Sequence, residues 1–127
     1  MITGRVAPDG REAIIPLTLL RGRAGGTRSI EAVIDTGFTD RLTLPPEVVQ
    51  ELGLPLRGSA EVALADGSIE TLPMYRVRIL WHGQERTIRA YAASGDPLVG
   101  MALLSGSDLR IRVVGGGLVE IEELPGR

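Results

Sequence analysis

The chain has 127 residues, 43% of them hydrophobic and 24% charged, with a formal net charge of −2. That is long enough for one domain with a real core, expected to span residues 1–127, and it gives no electrostatic case for nucleic acid or an anionic membrane as partner. Cysteine is absent and His82 is the only histidine, which excludes disulfides, thiolate nucleophiles, thiolate or His-rich metal sites and a catalytic histidine pair. Aromatic residues are scarce, so the core falls to Val, Leu, Ile and Ala. All the basic residues are Arg, scattered without forming one basic block. The opening MITGRVAPDG lacks the features of a signal peptide, and the apolar runs are too short to span a membrane. A cytoplasmic setting is expected.

The periodicity along the chain is that of strands. Ala13 to Leu20 (AIIPLTLL) is an apolar stretch whose Pro16 suits an edge or bulge, and Arg21 to Arg28 is a Gly- and Arg-rich turn. Ser29 to Asp35 forms the next strand and Leu42 to Leu44 a shorter one. Pro46 to Leu52 (PEVVQEL) is the best helix candidate, with Pro and an acid in its first turn and Gly53 just past its end. A hairpin follows, in which Ala60 to Leu64 runs out, Asp66-Gly67 turns, and the chain returns from Ile69. Tyr75 to Trp81 alternates cleanly, His82-Gly83 turns, and Thr87 to Ala92 runs back. A short apolar segment, Pro97 to Leu104, precedes a last hairpin of Leu109 to Val114, a Gly115–Gly117 turn and Leu118 to Ile121. Many short strands, frequent turns and little helix predict an all-β barrel or sandwich.

The segment AVIDTGFT, Ala32 to Thr39, drives a carboxylate onto the end of an apolar strand. Asp35-Thr36-Gly37 alone is a weak signal, and its order with the ADGS hairpin (Ala65 to Ser68) and PLVGMALL (Pro97 to Leu104) raises it. From about Ile14 to Leu109 the chain resembles the retropepsin-like aspartic proteases, the family of retroviral proteases and their small bacterial relatives. Such enzymes hydrolyse amides with a water held between two carboxylates, which share one proton because two carboxylates about 3 Å apart cannot both ionise. No covalent intermediate is needed, which suits a chain without Cys.

The resemblance implies an acid-protease closed barrel with one or two short helices and a catalytic triplet of Asp35, Thr36 and Gly37. In it Gly37 permits the tight loop and Thr36 bonds across two copies of the motif. The chain holds one Asp-Thr-Gly and no Asp-Ser-Gly. The second carboxylate therefore has to come from a second copy, and the expected enzyme is a homodimer with its site on the two-fold axis. The hairpin Ala60–Leu72 becomes a flap over the substrate. Substrate contacts are expected from Phe38 and Thr39, from Ala65, Asp66 and Gly67 at the flap, and from Leu98 and Val99, with peptide as substrate and neither cofactor nor metal. Phe38 departs from the family, which carries Ala or Ser there, so its ring either lines a subsite or turns into the core. Thr39 and Met101 replace an Asp–Arg ion pair of the retroviral enzymes; losing both partners together avoids stranding a buried charge.

Plainer readings stand beside these. Asp35 alone suits an Asx-turn at a strand end, Asp40 reads as a solvated loop acid, and Asp66 serves its hairpin turn. His82 reads as a turn residue, Trp81 as core or interface packing, and Tyr75 and Arg76 as solvated strand positions near the flap's base. Two other functions stay open: a retropepsin-like module that binds peptides or assembles partners without turnover, and a small β-barrel with no carboxylate pair.

Overall fold

The computed structural model describes residues 1–22, 25–63 and 66–126, so Ala65 of the expected flap tip lies outside the described residues. Ten strands and two helices follow in order: β1 Ile2–Val6, β2 Ala13–Leu20, β3 Thr27–Ile34, β4 Leu42–Leu44, α1 Pro46–Leu52, β5 Leu56–Ala63, β6 Ile69–Trp81, β7 Gln84–Ala92, β8 Leu98–Val99, α2 Met101–Leu104, β9 Ser107–Ile111 and β10 Leu118–Glu123. With 55% of the chain in strands and 9% in helix, the all-β expectation is met. No helix among the described residues is long and apolar enough to cross a membrane.

The strands form one mixed sheet in the order β5-β6-β7-β4-β8-β3-β2-β1-β10-β9, and an added pairing of β6 with β2 curls it into a partial ring. Pro16 explains how β2 serves so many neighbours. On one side β2 pairs continuously with β3; on the other, Ala13 and Ile14 pair with β1 and Thr18 to Leu20 with β6. Pro16 falls in the interval between those two partners, where a missing N–H costs the ladder least. Inside the ring lie Ile15, Leu17, Leu19, Leu42, Leu44, Ile79, Val99 and Leu103, each at most 2% exposed, and Trp81 joins this core. Its aliphatic make-up follows from the scarcity of aromatics.

Several boundaries differ from the sequence expectation. β1 was not anticipated, because only Ile2 and Val6 of ITGRV carry an apolar signal. The strand is held from both sides, by β2 and β10, and Gly4 lets it lie close: a Cβ there would run into the carbonyl oxygen of Ile14 and come within 2.9 Å of Ile15 Cγ2. β6 is a single 13-residue strand carrying Pro73 rather than two segments. In the last hairpin β9 ends early, at Ile111, leaving Val113 and Val114 exposed in the connection, while β10 runs on to Glu123. Gly117 allows this, because its N–H meets the Val114 carbonyl at 2.8 Å and a Cβ there would strike the Arg112 carbonyl oxygen.

α1 has its expected boundaries. Pro46 opens it, Glu47 lies in the first turn, and Gly53 ends it in a left-handed conformation (φ 60°), donating to the Gln50 carbonyl at 3.1 Å. Val48, Val49 and Leu52 are its buried face, packed into the core.

Candidate active site

Asp35 is the first residue beyond β3. Its placement depends on β8, two residues long, which inserts between β3 and β4: Val33 and Ile34 pair in parallel with Leu98 and Val99, and Leu42 and Thr43 pair antiparallel with the same two. The segment joining β3 to β4 must therefore loop around the end of β8. Four backbone hydrogen bonds clamp it there. Asp35 N–H donates to the Val99 carbonyl (2.9 Å), Gly100 N–H to Arg41 (3.0 Å), Met101 N–H to Phe38 (2.8 Å) and Ala102 N–H to Asp40 (3.2 Å). Gly100 is at the centre of this contact. Its backbone is extended (φ −102°), yet a Cβ would collide with the Asp40 carbonyl oxygen and lie 2.6 Å from both the Phe38 ring and the Phe38 carbonyl oxygen. Leu98-Val99-Gly100 and Asp35-Thr36-Gly37 are thus two halves of one interlocked unit.

Within the loop, the Asp35 carboxylate accepts a hydrogen bond from the Gly37 N–H at 2.9 Å, and the Phe38 N–H donates to the Asp35 carbonyl at 3.1 Å. The Asx-turn geometry is present and leaves the second carboxylate oxygen available. A Cβ on Gly37 would sit 3.3 Å from that accepting oxygen, tighter than ordinary contact. Asp35 is half-buried; Thr36 and Gly37 are exposed.

Asp35, Gly37 and Phe38 line a cleft of about 700 Å³ whose other walls come from the hairpin of β5 and β6 (Val62, Glu70, Leu72, Pro73), from Tyr75, and from Leu98 and Asp96. Phe38 resolves its two sequence readings together. At 5% exposure it turns inward, forming a small apolar cluster with Val62, Leu72 and Tyr91, while its edge still borders the cleft. That cluster is separate from the main core, and it ties the acid-bearing loop to the hairpin of β5 and β6.

The other expected contacts divide. Leu98 lines the cleft, and its N–H donates to the Thr43 hydroxyl at 3.0 Å. Val99 is fully buried beneath the loop, so it positions Asp35 through its carbonyl and has no surface to offer a ligand. Thr39 is exposed and does not border the cleft. Asp66 and Gly67 lie at the hairpin end beyond the cleft walls. The Asp66 carboxylate accepts from the Ser68 N–H (2.8 Å) and hydroxyl (2.6 Å), which holds its pKa below the usual carboxylate value, and Gly67 adopts φ 85°. Their geometry is that of a turn.

Three side chains carry more than their sequence reading. Asp40 is not a solvated loop acid: it is half-buried, accepts the Tyr91 hydroxyl at 2.5 Å and the Arg41 N–H at 2.8 Å, and lies 3.8 and 3.9 Å from the guanidinium groups of Arg41 and Arg89. Burial, with the hydrogen bond to Asp40 second, pushes the Tyr91 pKa above the usual phenol value. Thr43, at 5% exposure, spends its hydroxyl on fixing β8, and its place between Leu42 and Leu44 is the one local hint of that role. Tyr75 is half-buried on the cleft wall rather than solvated. Among the described residues no group of three or more Asp, Glu or His is arranged to hold a metal ion. Comparison with protein-family models and with curated protein sequences returns no match.

Proposed function

We propose that this chain is a retropepsin-like aspartic endopeptidase, active as a homodimer in which the Asp35 carboxylates of two copies face one another across a shared water. The observation that carries the reading is the Asp35 carboxylate, held by the Gly37 N–H on a clamped loop that borders a cleft walled by a hairpin. A single carboxylate held this way has no partner acid on its own loop, since Asp40 is engaged by Tyr91 and two arginines. Two-fold symmetry supplies the second one.

The chemistry follows from the pair. One carboxylate, ionised, takes a proton from the water as its oxygen attacks the scissile carbonyl; the other, protonated, donates to the carbonyl oxygen. The tetrahedral diol then collapses as the amide nitrogen is protonated, leaving a free carboxylic acid and a free amine. In this reading Thr36, which is exposed, bonds across the symmetry axis, and Gly37 supplies the N–H that orients Asp35. Val62, Leu72, Tyr75 and Leu98 offer apolar surface to substrate side chains, so an extended peptide with hydrophobic residues beside the scissile bond is the expected substrate.

The test is Asp35→Asn, which keeps the Gly37 hydrogen bond and removes the acid. Peptide hydrolysis should vanish while folding and dimerisation persist; cleavage at the wild-type rate would sink the assignment. A second reading, peptide capture without turnover, draws on the polar hairpin tip around Asp66 and Ser68. It would be favoured by a dimer that binds peptides and cleaves none between about pH 4 and 7.

A further inference from the structure

Five of the arginines, distant in sequence, are brought together around β5, β6, β7 and the start of β4. Arg41, Arg57, Arg76, Arg86 and Arg89 line a groove of about 540 Å³ to which no acidic residue contributes a wall, in a chain whose formal net charge is −2. The sheet register places three of them in a row. Arg76 stands directly opposite Arg89. The parallel pairing of Thr43 with Tyr91 sets Arg41, two residues upstream, level with Arg89. Arg57 sits in the irregularity between Leu56 and Gly58, which oppose Tyr75 and Met74.

Like charges directly opposed across strands are destabilising, and a sheet free to choose would set an acid against Arg76. Asp40 lies near Arg41 and Arg89, at 3.8 and 3.9 Å, and among the described residues no acid pairs with Arg57, Arg76 or Arg86. The row is therefore a surplus of guanidinium groups whose planar forks suit carboxylates. Tyr75 lines both this groove and the cleft that Asp35 borders, so the two adjoin at that residue.

We infer that the arginine groove is a binding site for an acidic peptide segment, the part of a substrate chain that continues past the cleft. Four strands at about 4.8 Å spacing span roughly 15 Å, the length of four or five extended residues. Peptide is favoured over nucleic acid because the groove's only aromatic is Tyr75, a single ring where single-stranded nucleic acid uses successive stacking platforms. The identity of the segment as substrate rests on the protease reading; the binding itself does not.

The experiment measures binding of fluorescein-labelled hexaglutamate by anisotropy at low salt and at about 0.15 M salt. Wild-type protein should bind it, and added salt should weaken binding. The double variant Arg57→Gln/Arg76→Gln should weaken it by about tenfold, or about 1.4 kcal/mol for the two exposed charge contacts together. Arg112→Gln, exposed in the loop before β10, should leave it unchanged, and matching thermal melts check that each variant is folded. Equal hexaglutamate binding by wild type and the double variant, or no binding at all, would overturn the inference. So would tighter binding of hexathymidylate, which would assign the groove to nucleic acid. In cleavage assays, the KM for a peptide with an acidic tail should rise in the double variant relative to that for a neutral-tailed one. If Asp35 proves inactive, the anisotropy result still decides the groove.

Discussion

Tyr91 and Asp40 show how a single residue pair braces the acid-bearing loop. The Tyr91 ring belongs to the cluster around Phe38, and its hydroxyl ends on the Asp40 carboxylate at 2.5 Å, so apolar packing and a charge-assisted hydrogen bond act on the same loop. Tyr91→Phe keeps the ring and should cost about 1.5–3 kcal/mol, read by urea denaturation. Because burial raises its folded pKa above 10.0, the stability contributed by Tyr91 is complete below that pH and is lost as pH rises through the folded value. Absorbance titration should show one of the two tyrosines ionising late, and Tyr91→Phe should abolish that late step. His82 works in the opposite sense. It bonds Ser107 at 2.8 Å and packs edge-on against Trp81, and burial holds its pKa below the ordinary 6.5. Its contribution is complete above about pH 6.5 and is lost as pH falls, because the unfolded chain takes the proton first. Replacement by Asn, which also tolerates the left-handed φ of 52°, should flatten the stability profile between about pH 7.5 and 5.5.

Among the elements, the short β8 with Gly100 and the hairpin of β5 and β6 decide what Asp35 does. Gly100→Ala introduces a methyl group against the carbonyl oxygens of Phe38 and Asp40, backbone atoms that cannot rotate aside. A cost of about 1–3 kcal/mol is expected from overpacking, together with loss of activity larger than the stability change explains, because the displaced atoms belong to the Asp35 loop. Since the Gly100 backbone is extended, any effect is steric rather than conformational. For the hairpin, Leu72→Ala removes a buried member of the Phe38 cluster and should cost about 2–4 kcal/mol while loosening the cleft wall. Kinetics would show this as a higher KM at any temperature where the variant stays folded. The ordered motifs were legible because an acid-Thr-Gly after an apolar strand and a Gly after two apolar residues are local patterns. That they interlock was not, since the four clamping hydrogen bonds join segments far apart in sequence.

On the protease reading proposed above, activity at the scale of the whole molecule is tied to association. If the working unit is a pair of chains, the rate per chain should fall on dilution below the dimer's dissociation constant. Mixing with excess Asp35→Asn protein should then reduce activity beyond simple dilution, because mixed pairs hold one carboxylate. Sedimentation measured beside kinetics checks this; activity that stays strictly proportional to wild-type chain under both treatments would remove the symmetric site. The arginine groove belongs to this scale too. Its members are scattered between Arg41 and Arg89, and their charges add only because β5, β6, β7 and β4 are neighbours in the sheet.

Residue pattern alone settled the class of structure and the position of the acid. Strand periodicity, turn residues and a short Pro- and Gly-bounded helix report forces that act within a few residues, and they survive in a linear reading. What the linear chain does not carry is which side chains meet. The inward turn of Phe38, the capture of Asp40 by Tyr91, the role of Thr43 beneath β8 and the row of opposed arginines all depend on strand order and register. Those are settled by burying the aliphatic core and closing β6 onto β2, a balance summed over the whole sheet. AVIDTGFT names the acid; the fold decides what holds it and what faces it.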